Sequence, residues 1–183
     1  MTILHIDSSI NGDNSATRAI SRSIVDRLKP ALWGEEIVYR DLAENPLPHL
    51  TLGAFADTSV LDEFLAADTV VIGAPMYNFT LATQLKTWID RIVIAGKTFR
   101  YTETGPEGLA GGKRVIIALA RGGYYGEGSP AASLEHLESY LRGVFNFIGI
   151  EPEFVAADGL NISPAQREES IAAALGETVR LAA

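Results

Sequence analysis

Two runs of consecutive apolar residues constrain this chain more than any other feature: Thr69-Val70-Val71-Ile72-Gly73-Ala74-Pro75 and Arg114-Val115-Ile116-Ile117-Ala118-Leu119-Ala120. A strand with one wet face alternates apolar and polar side chains. A run that does not alternate is covered on both faces, as in a parallel sheet packed between helices. The strands predicted are Ile3–Asp7, Glu36–Arg40, Thr69–Ala74, Arg114–Ala120 and Glu153–Ala157.

Helical periodicity fills the intervals between them. Ala16, Ile20, Ile24 and Leu28 recur every four residues, and Pro30 closes that helix. A weaker helix is expected over Val60–Ala67. Leu81, Leu85, Trp88, Ile89 and Ile92 form one apolar face, and Leu134, Leu137, Leu141, Phe145 and Ile148 form another that ends at Gly149. The last helix opens on Ser163-Pro164-Ala165-Gln166: an N-cap, a proline at the first helical position and a glutamine placed to close a capping box. Its buried face is expected to be Ile171, Leu175 and Val179. Strand and helix alternate five times, which predicts one doubly wound α/β domain over residues 1–183. Leu42–Thr58 and Gly96–Gly112 are read as long loops.

Composition removes several classes of function. There is no cysteine, so disulfides, thiolate metal sites and a catalytic thiol are excluded, and a reducing cytoplasm is the expected location. Three scattered histidines give no metal-ligand spacing. His5 lies inside a strand and reads as a core imidazole. Asp90, Arg91 and Glu138 read as solvated or interface charge. A net charge of −8 argues against nucleic acid. No apolar run is long enough to span a membrane, and the N-terminus reads as a strand rather than a signal peptide.

In doubly wound sheets, ligands bind beyond the carboxyl ends of the strands where the strand order reverses. Three loops are then of interest. The first, Ser8 to Arg18, runs onto a helix N-terminus whose free N–H groups favour an anion, and Ser9, Ser15 and Thr17 add hydroxyl donors. Alone it reads equally as turn chemistry with Ser15 as N-cap; its place in the fold tips it towards phosphate. It has neither the Gly-x-Gly-x-x-Gly nor the Walker A pattern. Ala95-Gly96-Lys97-Thr98 resembles the end of a Walker A loop, but Arg91 stands where the leading glycine belongs. The second loop, Ala74 to Thr80, carries Met76, Tyr77, Asn78 and Phe79. It suits a planar heteroaromatic ring, with Asn78 able to donate and accept at its edge, or it is a hydrophobic plug over the sheet. The third, Ala120-Arg121-Gly122-Gly123-Tyr124-Tyr125, offers close backbone approach beside an aromatic surface, or a loop with surface tyrosines. Together the three match the parts of one phosphorylated planar ligand.

These residues carry a resemblance. Asp41-Leu42-Ala43-Glu44-Asn45-Pro46, Ala74-Pro75-Met76-Tyr77-Asn78-Phe79, Thr83-Gln84-Leu85-Lys86, Phe99-Arg100-Tyr101-Thr102-Glu103, Gly105-Pro106-Glu107-Gly108-Leu109 and Arg121-Gly122-Gly123 stand in family order. The chain resembles the FMN-dependent NADH azoreductases, which also act as NADH:quinone oxidoreductases. The resemblance implies a flavodoxin-like fold with sheet order 2-1-3-4-5 and a homodimer. It implies FMN phosphate on Ser9, Ser15, Ala16 and Thr17, and the flavin ring against Met76, Tyr77, Asn78 and Phe79 and against Ala120, Arg121, Gly122 and Gly123. In the family, aromatics from the partner subunit wall the pocket; Phe99, Tyr101, Tyr124 and Phe147 are read as walls of the substrate pocket here. Ala120 stands where the family has serine, Thr17 replaces another serine, and the segment between Leu50 and Val60 is shorter.

The implied chemistry is ping-pong: NADH or NADPH delivers a hydride to FMN, leaves, and a quinone or azo acceptor takes its place. Backbone N–H groups of Asn78, Gly122 or Gly123 are expected to stabilise negative charge on the reduced ring. No side chain need act as nucleophile, acid or base. Two other functions suit the same fold, an electron carrier serving a protein partner and a non-enzymatic flavin sensor.

Overall fold

The computed structural model describes residues 1–29 and 36–182, so the expected stop at Pro30 lies outside the described residues. Five strands form the parallel sheet: β1 (Ile3–Asp7), β2 (Ile37–Asp41), β3 (Thr69–Tyr77), β7 (Arg114–Ala120) and β8 (Glu153–Ala157). Their order is β2-β1-β3-β7-β8, as the resemblance implies, and the order reverses between β1 and β3. Five helices, α1 (Ala16–Leu28), α2 (Ser59–Ala66), α3 (Thr83–Ile92), α4 (Glu138–Phe147) and α5 (Pro164–Glu177), cover both faces.

The continuous apolar runs explain this layering. Leu4, Ile6, Val70, Ile72, Val115, Ile117 and Leu119 point into a core with Phe64 of α2, Trp88 of α3 and Phe145 of α4. The residues between them, Ile3, Val71, Ile116 and Ala118, point into a second core with Ile20 and Ile24 of α1. Successive strand residues feed opposite cores, and the polar residues buried on the α1 face, His5 and Asp7, are there with hydrogen-bond partners.

Several expectations need correction. Val179 is exposed, because α5 ends at Glu177 and a 3-10 turn shifts the phase; Thr178 turns inward instead, its hydroxyl meeting Arg27 Nε at 2.7 Å and Ser23 Oγ at 3.1 Å. Ile171 and Leu175 do pack on the second core. Ser163 caps α5 by accepting from Gln166 N at 3.1 Å, but the Gln166 amide turns to Ser170, so half of the capping box forms. Helix α4 starts at Glu138 and leaves Leu134 exposed, because the Glu135 carboxylate accepts from the N–H groups of Leu137, Glu138 and Ser139 and fixes the start there. Its end follows the expectation: Gly149 sits at φ +91, with Ile150 N on Phe145 O at 2.9 Å and Gly149 N on Asn146 O at 3.0 Å, a Schellman motif. Arg91 is buried rather than solvated and ties the long loop down through Pro48 O at 2.7 Å.

Two supposed loops contain strands. Between Gly96 and Gly112, β5 (Phe99–Thr102) and β6 (Gly105–Gly108) form an antiparallel hairpin, with Arg100 paired to Glu107 across it. The hairpin is mostly exposed, so no apolar alternation announces it. The supposed second loop is the end of β3 plus a hairpin to β4 (Thr80–Leu81), which also takes Leu81 out of the predicted helix. Asn78 and Phe79 make the two-residue turn at φ +46 and +73. Turns with both central residues at positive φ normally use Asn-Gly or Asp-Gly, and a phenylalanine there carries no turn signal.

Candidate cofactor-binding site

A cleft of about 160 Å³ opens at the carboxyl ends of the strands, at the reversal between β1 and β3. It brings together Ser9, Ser15, Ala16, Thr17, Met76, Tyr77, Ala120 and Gly122 of the predicted residues, and adds Asn11, Pro75, Leu160, Asn161 and Arg167.

The first wall is the loop from β1 into α1. Ser15 caps the helix, accepting from Arg18 N at 3.3 Å, and its hydroxyl also lies 3.0 Å from that of Thr17. The N-cap and anion roles are therefore compatible. The backbone N–H groups of Ala16 and Thr17 have no acceptor among the described residues. Beneath the loop lies a largely buried polar network, with Tyr39 at its exposed edge. Arg18 is bidentate on Asp41, one bond at 3.0 Å, and donates to the carbonyl of Ser9 at 2.9 Å and to the hydroxyl of Tyr39 at 3.1 Å. Tyr39 in turn donates to Asp7 at 3.1 Å, and the Ser21 hydroxyl donates to Asp7 at 2.9 Å. His5 completes the network, 3.0 Å from Ser21 Oγ and 3.5 Å from Asp7. Burial pushes the Asp41 carboxyl up, but Arg18 and the N–H groups of Glu44 and Ala43 outweigh it and hold it below the usual carboxylate range. Burial also holds the His5 imidazole below its ordinary value, against the pull of Asp7.

The second wall is the end of β3. The Tyr77 hydroxyl reaches across to accept from Ile10 N at 3.1 Å and lies 3.3 Å from Ser9 Oγ, tying the two walls together. Asn78 faces a second groove that shares Met76 and Tyr77 with the cleft and is flanked by Ile10, Thr83 and Gln84. Phe79 lies outside both grooves, edge-on to Tyr125 at 6.2 Å, and its carbonyl accepts from His136 N at 3.0 Å.

The third wall is double. The loop after β8 runs along the loop after β7 and is zipped to it by three backbone bonds, Gly159 N to Gly123 O, Leu160 N to Arg121 O and Asn161 N to Gly122 O. The Arg121 guanidinium locks the pair through Asp158 at 2.6 and 3.0 Å and also reaches Glu138. It faces away from the cleft, so its side chain serves the wall's position. A Cβ at Gly122 would fall 2.5 Å from the Asn161 amide nitrogen, so any larger residue there must displace the Asn161 side chain. The N–H groups of Gly122 and Gly123 have no acceptor among the described residues.

Phe99, Tyr101 and Phe147 gather on the β5–β6 hairpin and α4, with ring centroids 5.5 and 4.6 Å apart, away from this chain's own cleft. Tyr124 lies against Gly159. Asn161 and Arg167 were not anticipated. The signal available for them was the loop after the last strand, which also leaves the carboxyl edge of the sheet.

The cleft fits FMN. No carboxylate lines it, although the chain carries −8 overall. One end offers hydroxyls, unused N–H groups, the α1 N-terminus and one guanidinium, the donor set an anion needs. The other end offers Pro75, Met76, Ala120 and Leu160, an apolar surface for a ring.

The flavodoxin-like fold family matches residues 1–181. An FMN-dependent NADH:quinone oxidoreductase of Bradyrhizobium diazoefficiens is 54% identical over 201 positions, with all of both chains covered. One from Methylorubrum extorquens is 52% identical over 202 positions, again with full coverage. Among solved structures, azoreductase AzrA superposes with a TM-score of 0.90 at 31% identity, covering 100% of this chain and 99% of that one. An FMN-dependent NADH-azoreductase of Bacillus anthracis, solved in complex with FMN, gives 0.85 at 25% identity with both chains fully covered. The fold and cleft define a flavodoxin-like protein with a site for a phosphorylated planar ligand. Within that class, the chain belongs to the FMN-dependent NADH:quinone oxidoreductase family.

Proposed function

We propose that this protein holds FMN in the cleft described above, works as a homodimer in the cytoplasm, and lets the nicotinamide and the electron acceptor use one place in turn, giving ping-pong kinetics. It is an enzyme, an FMN-dependent oxidoreductase that passes two electrons from NADH to quinones and azo compounds. The observation that carries the reading is the polarity of the cleft: free donors at one end, apolar surface at the other and no carboxylate between them.

Bound there, FMN supplies hydride chemistry between the nicotinamide and the acceptor. The chain's own residues bind and orient. Ser9, Ser15 and Thr17, with the N–H groups of Ala16 and Thr17, hold the phosphate. Met76 and Tyr77 on one wall and Ala120 and Gly122 on the other would hold the ring, with Asn78 and Gly123 beside them, while Phe79 and the Arg121 side chain, which lie off the cleft, would act through the position of those walls. The unused N–H groups of Gly122 and Gly123 are oriented dipoles suited to developing negative charge. Asn78 stands where the cleft meets the second groove and orients the acceptor there. Phe99, Tyr101 and Phe147 lie off their own cleft, so in this reading they wall the partner subunit's cleft, and the three-quarters exposure of Tyr101 suits a residue covered on dimerisation. Among the described residues no helix is long and apolar enough to cross a membrane.

The test is a visible spectrum of the purified protein with FMN, without oxygen. Protein-bound colour that bleaches on NADH and returns with a quinone is the expected result. Bound colour that NADH leaves untouched would move the protein to the carrier or sensor functions, and failure to retain FMN would end the reading. Sedimentation velocity tests the dimer.

A further inference from the structure

We propose that Arg167 of α5 is the cationic ligand of the FMN phosphate and the residue by which this protein tells FMN from unphosphorylated flavin. The proposal rests on the FMN reading of the cleft and names a recognition element for it. Arg167 is the one charged side chain among the residues lining the cleft. Its guanidinium donates to the carbonyl of Asn14 at 2.6 Å, one residue before the Ser15 cap of α1, so it stands beside the free N–H groups of that helix start. That single bond leaves donors to spare on a five-donor group.

Arg18, Arg40, Arg114 and Arg121 are each bound to a carboxylate. Arg27 and Arg91 lack a carboxylate partner among the described residues, but neither lines the cleft. Arg167 has no carboxylate partner among the described residues, though Glu168 and Glu169 follow it directly in a chain of net charge −8. A half-buried guanidinium held by a neutral carbonyl keeps its full charge available to a ligand. Its position is fixed from both ends. Ser163 and Pro164 set the start of α5, and Ser170 Oγ donates to Asp158 O at 2.7 Å, which ties the helix to the double wall of the cleft. A planar fork beside a helix N-terminus matches a phosphate with hydrogen bonds and charge together. The serine and threonine hydroxyls supply hydrogen bonds without charge, so they cannot make the same distinction as strongly.

The experiment titrates the apoprotein with FMN and with riboflavin, reading flavin fluorescence, for the unaltered protein, Arg167→Ala and Arg167→Lys. The unaltered protein is expected to favour FMN. Arg167→Ala should weaken FMN by about 10- to 100-fold, the usual size of a charge-assisted bond, and leave riboflavin unchanged. Arg167→Lys should recover part of the loss, as a charge without the fork. Added salt should weaken FMN and spare riboflavin in the unaltered protein, a readout that holds even if a variant folds poorly. Equal weakening of both flavins by Arg167→Ala would mean a structural role through Asn14 and overturn the proposal, as would no change in either. An unaltered protein that binds both flavins equally would overturn the proposal and leave the FMN reading standing. An unaltered protein that binds neither would overturn both.

Discussion

The two ends of the cleft are built in opposite ways. The anion end stands on a buried ionic network, Arg18 between Asp41, Tyr39 and the Ser9 carbonyl, with Asp7, Ser21 and His5 below. The ring end stands on a tight turn in which a half-exposed phenylalanine adopts a left-handed backbone, edge-on to the half-buried Tyr125. One end is braced from beneath by ion pairs and hydrogen bonds while its Ala16 and Thr17 N–H groups stay free; the other carries backbone strain and open apolar surface. Strain of this kind persists only where its surroundings impose it, and it gathers at functional sites. Under the proposed function the comparison implies a division of labour: the anion end would decide what is held, and the ring end what approaches it.

The largest expected effect breaks the anion end. Arg18→Ala leaves Asp41 and Asp7 buried without their cation, and removing one partner of such a pair costs about 3–5 kcal/mol. Urea denaturation should show that loss, together with weaker FMN retention as the Ser9 carbonyl loses its donor. A variant with ordinary stability and full FMN affinity would remove the contrast between the two ends.

Next comes the double wall. Gly122→Ala forces a methyl group against the Asn161 amide and should weaken FMN by about 1–2 kcal/mol, roughly tenfold. Asn161→Ala in the same chain should restore part of the affinity, and a double-mutant cycle measures the coupling. Additive losses would mean that the two loops do not share the strain.

The ring end should respond with the opposite sign. Phe79→Gly removes a left-handed penalty and should raise stability by about 1 kcal/mol, while quinone turnover falls. Thermal melting and steady-state assays check both halves. Loss of stability would show that contact with Tyr125 outweighs the strain.

The smallest effect is a pH dependence. His5 has a folded pKa below its unfolded value, so the unfolded chain binds more protons and stability falls as pH drops below about 6.5. Asp7, Tyr39, Ser21 and Arg22 surround it, and Asp7 limits the shift. Replacing His5 with asparagine should flatten the stability profile below that pH, read by denaturation across a pH series. Asp41, also held below its ordinary range, adds stability above about pH 4 that is lost on further acidification. An unchanged profile in the asparagine variant would exclude His5 as the source.

The sheet was legible because strands covered on both faces leave continuous apolar runs, as Val70, Val71 and Ile72 do without a polar residue between them. The place of the β1–α1 loop in the cleft was legible because its hydroxyl-bearing residues sit close together at a strand end. Asn161 and Arg167 were not, since each gains its place from a partner far along the chain: Gly122 for one, the Asn14 carbonyl for the other. The β3–β4 turn was missed because Asn78-Phe79 obeys tertiary constraint rather than turn propensity. Val179 was misplaced because α5 tightens into a 3-10 turn after Glu177, which periodicity alone does not register.

The Arg121–Asp158 lock has a consequence for how the protein can vary. Residues 121–123 and 158–161 come from separate stretches of chain, yet three backbone bonds and one bidentate ion pair make them a single plate. A plate of that kind tilts or holds as a unit. Substitutions along the last loop, which no motif marks, therefore change the cleft as directly as substitutions in the glycine pair, and the two stretches are free to diverge only together.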